Sequence, residues 1–340
     1  MQPRLNIGFS CANQKAFWFG NAYSPKHSEY LLNYARSGII MALRAALPQG
    51  GRVGVVAYNC YTVANAVVQA GCTPAFVDVA ENLSINASNL SRRAMDAIVV
   101  TNLFGIHNDI ATIRQILGEE IPIIVDNAHG YGLPPEGDFT VYSINQGKFP
   151  ALGEGGILVV NNLQYIASIN LQYEQLPTYT KQQEAKLFLT MLLKAWLHTP
   201  LVYKLLTMRL KARRTVGDCR ETTPLKKMAK GICRMYNAAV PTIEKQIEQQ
   251  RINAQSIKAL VTSQNGVQSV WTGENAFMLI VRCQNTQALK QYFASKGIET
   301  ATHFANTIVW AEQFGYQIGT CPMAEQLTKE LLMIPTYKKI

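Results

Sequence analysis

The sequence predicts an α/β protein in which helices cover both faces of a mainly parallel sheet. Short apolar runs with turn residues on both sides, such as residues 53–57, 97–101 and 121–125, alternate with stretches of helical periodicity. Strands and helices that alternate in this way form parallel sheets covered on both faces. The chain has 340 residues, of which 48% are hydrophobic, so it can bury a large core. We therefore expect a three-layer α/β/α domain and a smaller α+β domain after it.

The composition favours a cytoplasmic protein without a metal site. The N-terminal residues contain no basic stretch followed by a long apolar run, so no signal peptide is predicted. The seven cysteines show neither C-x-x-C nor zinc-type spacing, and we expect reduced thiols. The net charge of +10 does not predict nucleic-acid binding, because residues 181–234 hold thirteen Lys or Arg against three acids and so carry the whole excess.

The elements before residue 150 follow from the apolar pattern. Helical periodicity begins near Glu29, is interrupted at Ser37-Gly38, and predicts a second helix over residues 39–47 that ends at Pro48. Strands are predicted at residues 53–57, 74–79, 97–101, 121–125 and 139–144.

Two polar residues follow neighbouring strands of this sheet. Asp126 comes directly after the run at 121–125, and Lys148 follows the strand at 139–144. The carboxyl ends of buried parallel strands face the ligand crevice. A pyridoxal 5'-phosphate (PLP) enzyme needs a lysine as its covalent attachment point and a carboxylate that keeps the pyridine nitrogen protonated. An acid at a strand end and a lysine in a loop are also common in structural roles, so the surrounding residues decide the question.

Three short motifs surround these two residues. They are Asp126-Asn127-Ala128-His129, Tyr142-Ser143-Ile144-Asn145-Gln146-Gly147-Lys148 and Gly153-Glu154-Gly155-Gly156. In order and spacing they resemble D-x-A-[HQ], [FY]-S-[FI]-[NH]-x-x-K and G-E-G-G, the motifs of the DegT/DnrJ/StrS family of sugar aminotransferases. The resemblance covers most of residues 36–160 and 232–337 and is absent at the N-terminus and in the basic segment. It implies the type I fold of PLP transferases, with a large domain over residues 1–235 and a small one over 236–340.

The resemblance also implies roles for single residues. Lys148 would hold PLP and act as the general base, and Asp126 would pair with the pyridine nitrogen. His129 would lie near the cofactor ring, although a core histidine bonded to a backbone carbonyl is the competing interpretation. Ser143 and the backbone N–H groups of Gly38 and Ile39 would bind the cofactor phosphate. The family has S-G-T here, and Ile39 replaces its threonine.

Three further assignments rest on looser matches. The family stacks an aromatic ring on the cofactor from the segment that includes residues 58–66; ungapped matching puts Cys60 at that place, so Tyr58 or Tyr61 would stack, with Tyr61 preferred. Arg234 matches a position from which a neighbouring subunit reaches the cofactor, which implies a homodimer. His303 matches a substrate-side position.

The basic segment at about 181–230 predicts a helical insert. Within residues 184–198, Lys186, Thr190, Lys194 and His198 recur every four residues and form one polar stripe on an otherwise apolar helix. Pro200 ends that helix, and residues 201–214 repeat the character. The charges exclude a spanning helix. Two alternatives stay open: the apolar face is covered by protein, or residues 184–214 make peripheral contact with the inner face of the membrane.

The predicted function is amino transfer from glutamate or glutamine to a keto-sugar nucleotide, in the setting of surface polysaccharide synthesis that is usual for the family. Some relatives have histidine at the place of Lys148 and catalyse dehydration, so lysine favours amino transfer. A PLP dehydratase, epimerase or amino-acid-directed enzyme on the same fold is the alternative. A non-catalytic relative that binds PLP or a sugar is disfavoured by the presence of Lys148 and Asp126.

Overall fold

The computed structural model describes residues 9–199, 201–203 and 219–337. Its main sheet has seven strands in the order β1-β7-β6-β5-β4-β2-β3. The strands in chain order are β1 (Glu29–Leu32), β2 (Arg52–Val56), β3 (Thr73–Val77), β4 (Ala97–Thr101), β5 (Ile123–Asn127), β6 (Phe139–Ser143) and β7 (Gly156–Val160). Five neighbouring strands pair in parallel, namely β3, β2, β4, β5 and β6. Strands β7 and β1 are antiparallel to their neighbours. The predicted mainly parallel sheet is confirmed.

Helices cover both faces of this sheet. The helices in chain order are α1 (Cys11–Phe19), α2 (Ala35–Ala46), α3 (Tyr61–Gln69), α4 (Ile110–Leu117), α5 (Ile166–Glu174), α6 (Lys181–Leu197), α7 (Lys230–Ala239), α8 (Ile243–Thr262), α9 (Thr286–Ser295), α10 (Thr307–Glu312) and α11 (Pro322–Glu330). Alternate residues of a strand point to opposite faces. In β5, Ile124 packs in the core shared with α2 and α3, whereas Ile123 and Val125 pack in the core on the other face.

A second, antiparallel sheet follows near the C-terminus. It has the order β10-β9-β8, from β8 (Val267–Thr272), β9 (Met278–Cys283) and β10 (Leu331–Pro335). Ile257 and Val261 of α8 are fully buried against it. The predicted α+β region is therefore present. The predicted domain boundary at residue 235 falls inside α7, and the division itself stays a prediction.

The start of the chain differs from the predicted pattern. Residues predicted to begin a helix near Glu29 form the edge strand β1, which pairs with β7 and buries Leu31 and Leu32. The helix predicted to start at Ile39 starts at Ala35. The three apolar residues Tyr30, Leu31 and Leu32 fit a strand and a helix turn equally well, and only the pairing with β7 distinguishes the two.

The insert begins as predicted. Its first helix, α6, starts with a capping box in which Thr180 and Gln183 bond each other's backbone N–H groups. Most of the second predicted helix, at residues 201–214, lies outside the described residues. All seven cysteines are free thiols. Among the described helices, none combines the length and the apolar character that a membrane crossing requires.

Candidate active site

Asp126 lies at the carboxyl end of the sheet, next to the last residue of β5. Its side chain is buried, its Oδ1 accepts the Ala128 N–H at 2.9 Å, and its Oδ2 accepts the Thr101 hydroxyl at 3.3 Å. The Thr101 oxygen in turn accepts an N–H from Asn59 at 2.8 Å. Burial raises the pKa of the Asp126 carboxyl above its ordinary value of 3.8, and the Ala128 N–H and the charge of Lys148 oppose that shift. A cationic partner would therefore stabilise the charged form of this buried carboxylate.

Lys148 lies in the loop after β6, in a turn closed by its own N–H and the Asn145 carbonyl at 3.1 Å. Its Nζ lies 2.5 Å from Nε2 of His129. Burial lowers the pKa of the Lys148 amine from its ordinary 10.5. The nearby Cys60 and Asp126 oppose that shift, and Arg36 adds to it. The amine is thus brought closer to its neutral, nucleophilic form.

His129 is held between aromatic rings at the centre of the site. It stacks on Phe104 at 5.4 Å and on Phe304 at 6.1 Å between ring centroids. Burial lowers its pKa well below 6.5, and a protonated Lys148 would lower it further. Its Nδ1 accepts the Phe104 N–H at 3.2 Å, so the neutral ring carries its proton on Nε2, which donates to Lys148. A donor at Nε2 requires a neutral amine at Lys148.

The predicted phosphate ligands occupy two different settings. Ser143 is the last residue of β6 and is buried, with its oxygen accepting the Asn145 N–H at 3.4 Å. Gly38 and Ile39 lie inside α2 rather than at its start, because the helix begins four residues before Ile39. A Cβ at Gly38 would lie 2.9 Å from Cγ1 of Val141, so the glycine lets α2 approach the sheet closely. The free N–H groups of α2 belong to its first turn, around Ala35 and Arg36. The phosphate role of Gly38 and Ile39 remains a prediction.

The two candidates for stacking on the cofactor, Tyr58 and Tyr61, lie in different surroundings. Tyr58 is fully buried, its hydroxyl donates to the His303 carbonyl, and its ring meets Phe304 edge-on at 5.8 Å. Tyr61 begins α3 and meets Trp310 edge-on at 5.4 Å. Cys60, between them, is near enough to Lys148 for its charge to raise the pKa of the amine. The stacking role of Tyr61 therefore stays a prediction.

Arg234 and His303 were the remaining predicted residues. The guanidinium of Arg234 donates to the carbonyls of Phe17 and Trp18 of the same chain, at 3.2 Å each, and so anchors α1 on α7. His303 meets Phe304 edge-on at 5.5 Å between ring centroids, and its charge contributes to the lowered pKa of His129. The contact of Arg234 with a second subunit stays a prediction.

Sequence reasoning missed three residues that shape this site. Thr101 bonds Asp126, and Phe104 supports the imidazole of His129. Thr101 ends a predicted strand beside the one that carries Asp126, so its position gave a usable signal. Arg36 had no such signal, because its place depends on where α2 begins.

The residues present fit PLP. The cofactor requires a lysine amine, a carboxylate for its ring nitrogen and a flat apolar wall for its ring. The chain provides a partly buried Lys148 with a lowered pKa, a buried Asp126 close enough to interact with it, and the stacked ring of His129. Among the described residues, no group of His, Cys, Asp and Glu side chains could hold a metal ion.

Comparison with known families identifies the chain. The model of the DegT/DnrJ/EryC1/StrS aminotransferase family matches residues 31–340. The chain therefore belongs to this family, whose members are PLP-dependent aminotransferases.

Single relatives are more distant. The GDP-perosamine synthase of Vibrio cholerae is 24% identical over 156 residues, which span only 42% of this chain and 42% of the relative. A sugar aminotransferase from Micromonospora echinospora superposes with a TM-score of 0.72 at 16% identity, covering 99% of this chain and 95% of that one. A GDP-4-keto-6-deoxymannose-3-dehydratase with a trapped PLP-glutamate geminal diamine has a TM-score of 0.73 at 16% identity, covering 100% and 97%. At such identities the structural likeness shows the fold alone.

Proposed function

We propose that this PLP-dependent enzyme transfers an amino group from glutamate or glutamine to a keto-sugar nucleotide. The observation that carries the proposal is the contact of Lys148 with a neutral His129, beside the buried carboxylate of Asp126. The nature of the acceptor is supported by the names of relatives, among them a GDP-perosamine synthase and a sugar aminotransferase. Glutamate as a donor is in keeping with the glutamate adduct in the related dehydratase.

Asp126, Lys148 and His129 would have different roles in the reaction. Bound PLP supplies an electron sink for the bonds at the amino-bearing carbon. Asp126 would hold the proton of the pyridine nitrogen through its Oδ atoms, which Thr101 and the Ala128 N–H orient. The Lys148 Nζ, whose pKa burial lowers, would accept and return a proton. His129 Nε2 would donate to Nζ and so fix its position.

The proposal extends to assembly and setting. We propose a homodimer, which family resemblance at Arg234 supports, and a role in surface polysaccharide synthesis, which rests on the family resemblance alone. A cytoplasmic location is supported by the seven free thiols.

The test has two stages. The purified protein should show the visible absorption of bound PLP, and an amino-acid donor should bleach it. The protein that has reacted with the donor is then incubated with a panel of keto-sugar nucleotides, and the masses of the products are measured by mass spectrometry. A product that gains an amino group supports the proposal. A product that has lost water without gaining nitrogen would make the protein a dehydratase, and an unbleached band with every donor would reject catalysis of amino transfer.

A further inference from the structure

A cleft of about 670 Å³ lies between α6 and the loop that carries Lys148. We call it the α6 cleft. Its cationic lining residues are Arg36, Lys186, Lys194 and Lys226, and its floor includes Asn145, Gln146 and Glu154. Its volume falls within the roughly 300–1,000 Å³ usual for ligand pockets. The stripe of α6 that the fold and the proposed function leave unexplained therefore faces an open space.

The positive charge of this cleft is not compensated within the described part of the chain. None of its four cations forms an ion pair there. Their partners are neutral instead: Arg36 lies over the ring of Tyr34 at 5.0 Å, and Lys226 over that of Tyr179 at 4.9 Å. Lys194 donates to the side-chain oxygen of Gln146 at 3.1 Å.

Glu154, the carboxylate that lines the cleft, does little to reduce this charge. It accepts hydrogen bonds from Tyr34, at 3.3 Å, and from Tyr179. Burial raises the pKa of its carboxyl above the ordinary 4.5, and the hydroxyls and lysines only partly oppose that shift. Two phenol hydroxyls thus occupy its oxygens, and neither oxygen forms an ion pair with a lysine in the described part of the chain.

The lysines of the stripe are held in place by the packing of α6. The Met191 side chain fills the space above Gly153, where a Cβ would lie 2.4 Å from the methionine methyl carbon. Glu184 is buried and accepts the N–H groups of Lys230, at 2.8 Å, and Gly231, at 3.3 Å, at the start of α7. With α6 fixed at these two points, Lys186, Thr190 and Lys194 stand on the cleft side of the helix.

The cleft adjoins the catalytic lysine. Gln146, in its floor, lies two residues before Lys148 in the same loop. Arg36 lines the cleft and is also close enough to Lys148 for its charge to act on the amine. A ligand held by its anionic end in the cleft can therefore extend toward Lys148.

We propose that the α6 cleft binds the diphosphate of the nucleotide substrate through Lys186, Lys194, Arg36 and Lys226. This inference rests on the proposed function, because it names the part of that substrate which the insert recognises. Several unpaired cations around one space match a group with more than one negative charge. The side-chain amides of Asn145 and Gln146 supply neutral hydrogen-bond donors beside them.

The experiment measures binding without turnover. Inorganic pyrophosphate and GDP are titrated calorimetrically into the PLP-loaded protein, so that bound cofactor occupies its own phosphate site. The Lys186→Gln/Lys194→Gln double variant changes two exposed residues and should fold normally. We expect it to bind both probes at least tenfold more weakly than wild type, and wild-type affinity should fall as salt is raised. The matched control is Lys245→Gln/Lys258→Gln on α8, which makes the same change in net charge and should stay within twofold of wild type.

Each other outcome overturns the proposal. No pyrophosphate binding by wild type, equal affinity in the double variant, or equal weakening in both double variants would show that the cleft is not a diphosphate site. Loss of PLP absorbance in Lys186→Gln/Lys194→Gln would mean that these lysines hold the cofactor phosphate instead. The titration needs no acceptor sugar, so it can be interpreted even if the amino-transfer assay fails. Conversely, a titration without binding would reject the diphosphate site and would not bear on amino transfer.

Discussion

Lys148 and His129 share one short contact, and the protonation of each residue follows from it. The Phe104 N–H occupies Nδ1 of the imidazole, which leaves Nε2 as the donor to the lysine amine. A neutral amine is what covalent attachment of PLP needs. The sequence predicted that Asp126, His129 and Lys148 belong to one site, and the fold brings them together because they follow adjacent strands. It could not predict the tautomer, which depends on the turn around Phe104.

Replacing Lys148 by alanine should remove the visible absorption of bound PLP and all turnover. The far-ultraviolet circular dichroism should stay that of wild type, because the Lys148 amine bonds the side chain of His129 and no backbone group of a helix or strand in the described part of the chain. Lys258→Ala, on the exposed surface of α8, is the control and should keep both band and rate. A band in Lys148→Ala protein that borohydride still reduces would show that another lysine holds the cofactor.

Asp126→Asn should slow turnover and stabilise the apoprotein. An amide cannot hold the pyridine proton, and losing such a preorganised charge costs on the order of a hundredfold in rate.

In the apoprotein, the raised pKa of Asp126 means that folding favours its protonated form. Its contribution to stability is therefore full below the ordinary pKa of 3.8 and is lost as pH rises through the folded value. We expect the free energy of unfolding of the variant to exceed that of wild type near neutral pH, with the gap closing as pH falls.

Asp109→Asn is a control of opposite sign for that measurement. Hydrogen bonds from Thr112 lower the pKa of the exposed Asp109 carboxyl at the start of α4. Its contribution is present above the ordinary value and is lost as pH falls, so this substitution should not stabilise the protein at neutral pH. Equal pH profiles of unfolding for Asp126→Asn and wild type would mean that the carboxylate is not buried as the fold indicates.

At the scale of elements, the G-E-G-G loop leads into β7 and packs against the residues that begin α2. Gly156 begins β7, and a Cβ there would lie 2.2 Å from the Ala35 nitrogen. The neighbouring atoms belong to the backbone that leads into α2, so they cannot move aside as a side chain could. Apolar alternation predicted the buried strands well, since packing alone decides them. It missed β1 and the start of α2, which depend on this close approach of two distant segments.

Gly156→Ala should therefore destabilise the fold strongly. Overpacking costs about 1–3 kcal/mol where side chains can adjust, and we expect about 3 kcal/mol or more here because backbone atoms block the methyl group. Gly71→Ala is the comparison: its added methyl meets nothing within 4 Å, and only its φ of +88° is unfavourable, which costs about 1–2 kcal/mol. Thermal or urea unfolding of both variants measures the difference. A smaller loss for Gly156→Ala than for Gly71→Ala would contradict the packing of α2 against β7.

At the scale of the whole molecule, part of the apolar surface of α6 stays exposed within the described part of the chain. Leu189, Leu193 and Trp196 are 62%, 55% and 57% exposed, on the helix that also lines the α6 cleft. The exposed Trp18 and Phe19 end the neighbouring helix α1, and Trp18 contacts Phe188 of α6 at 5.3 Å between ring centroids. Several large apolar side chains exposed on two neighbouring helices indicate a contact site. The sequence predicted such a face but left open whether protein or membrane covers it.

We predict that a second copy of this chain covers the surface, in keeping with the homodimer that the family resemblance implies. The Leu193→Gln/Trp196→Gln double variant should sediment as a monomer at concentrations where wild type is dimeric, because a polar side chain in a closed apolar interface loses the burial that stabilises it. Leu163→Gln/Leu171→Gln is the matched control, since those leucines are 65% and 62% exposed outside α6. Flotation with anionic liposomes at low salt tests the competing partner. Wild type that floats, while the variant remains at the bottom and both are monomeric, would assign the surface to the membrane.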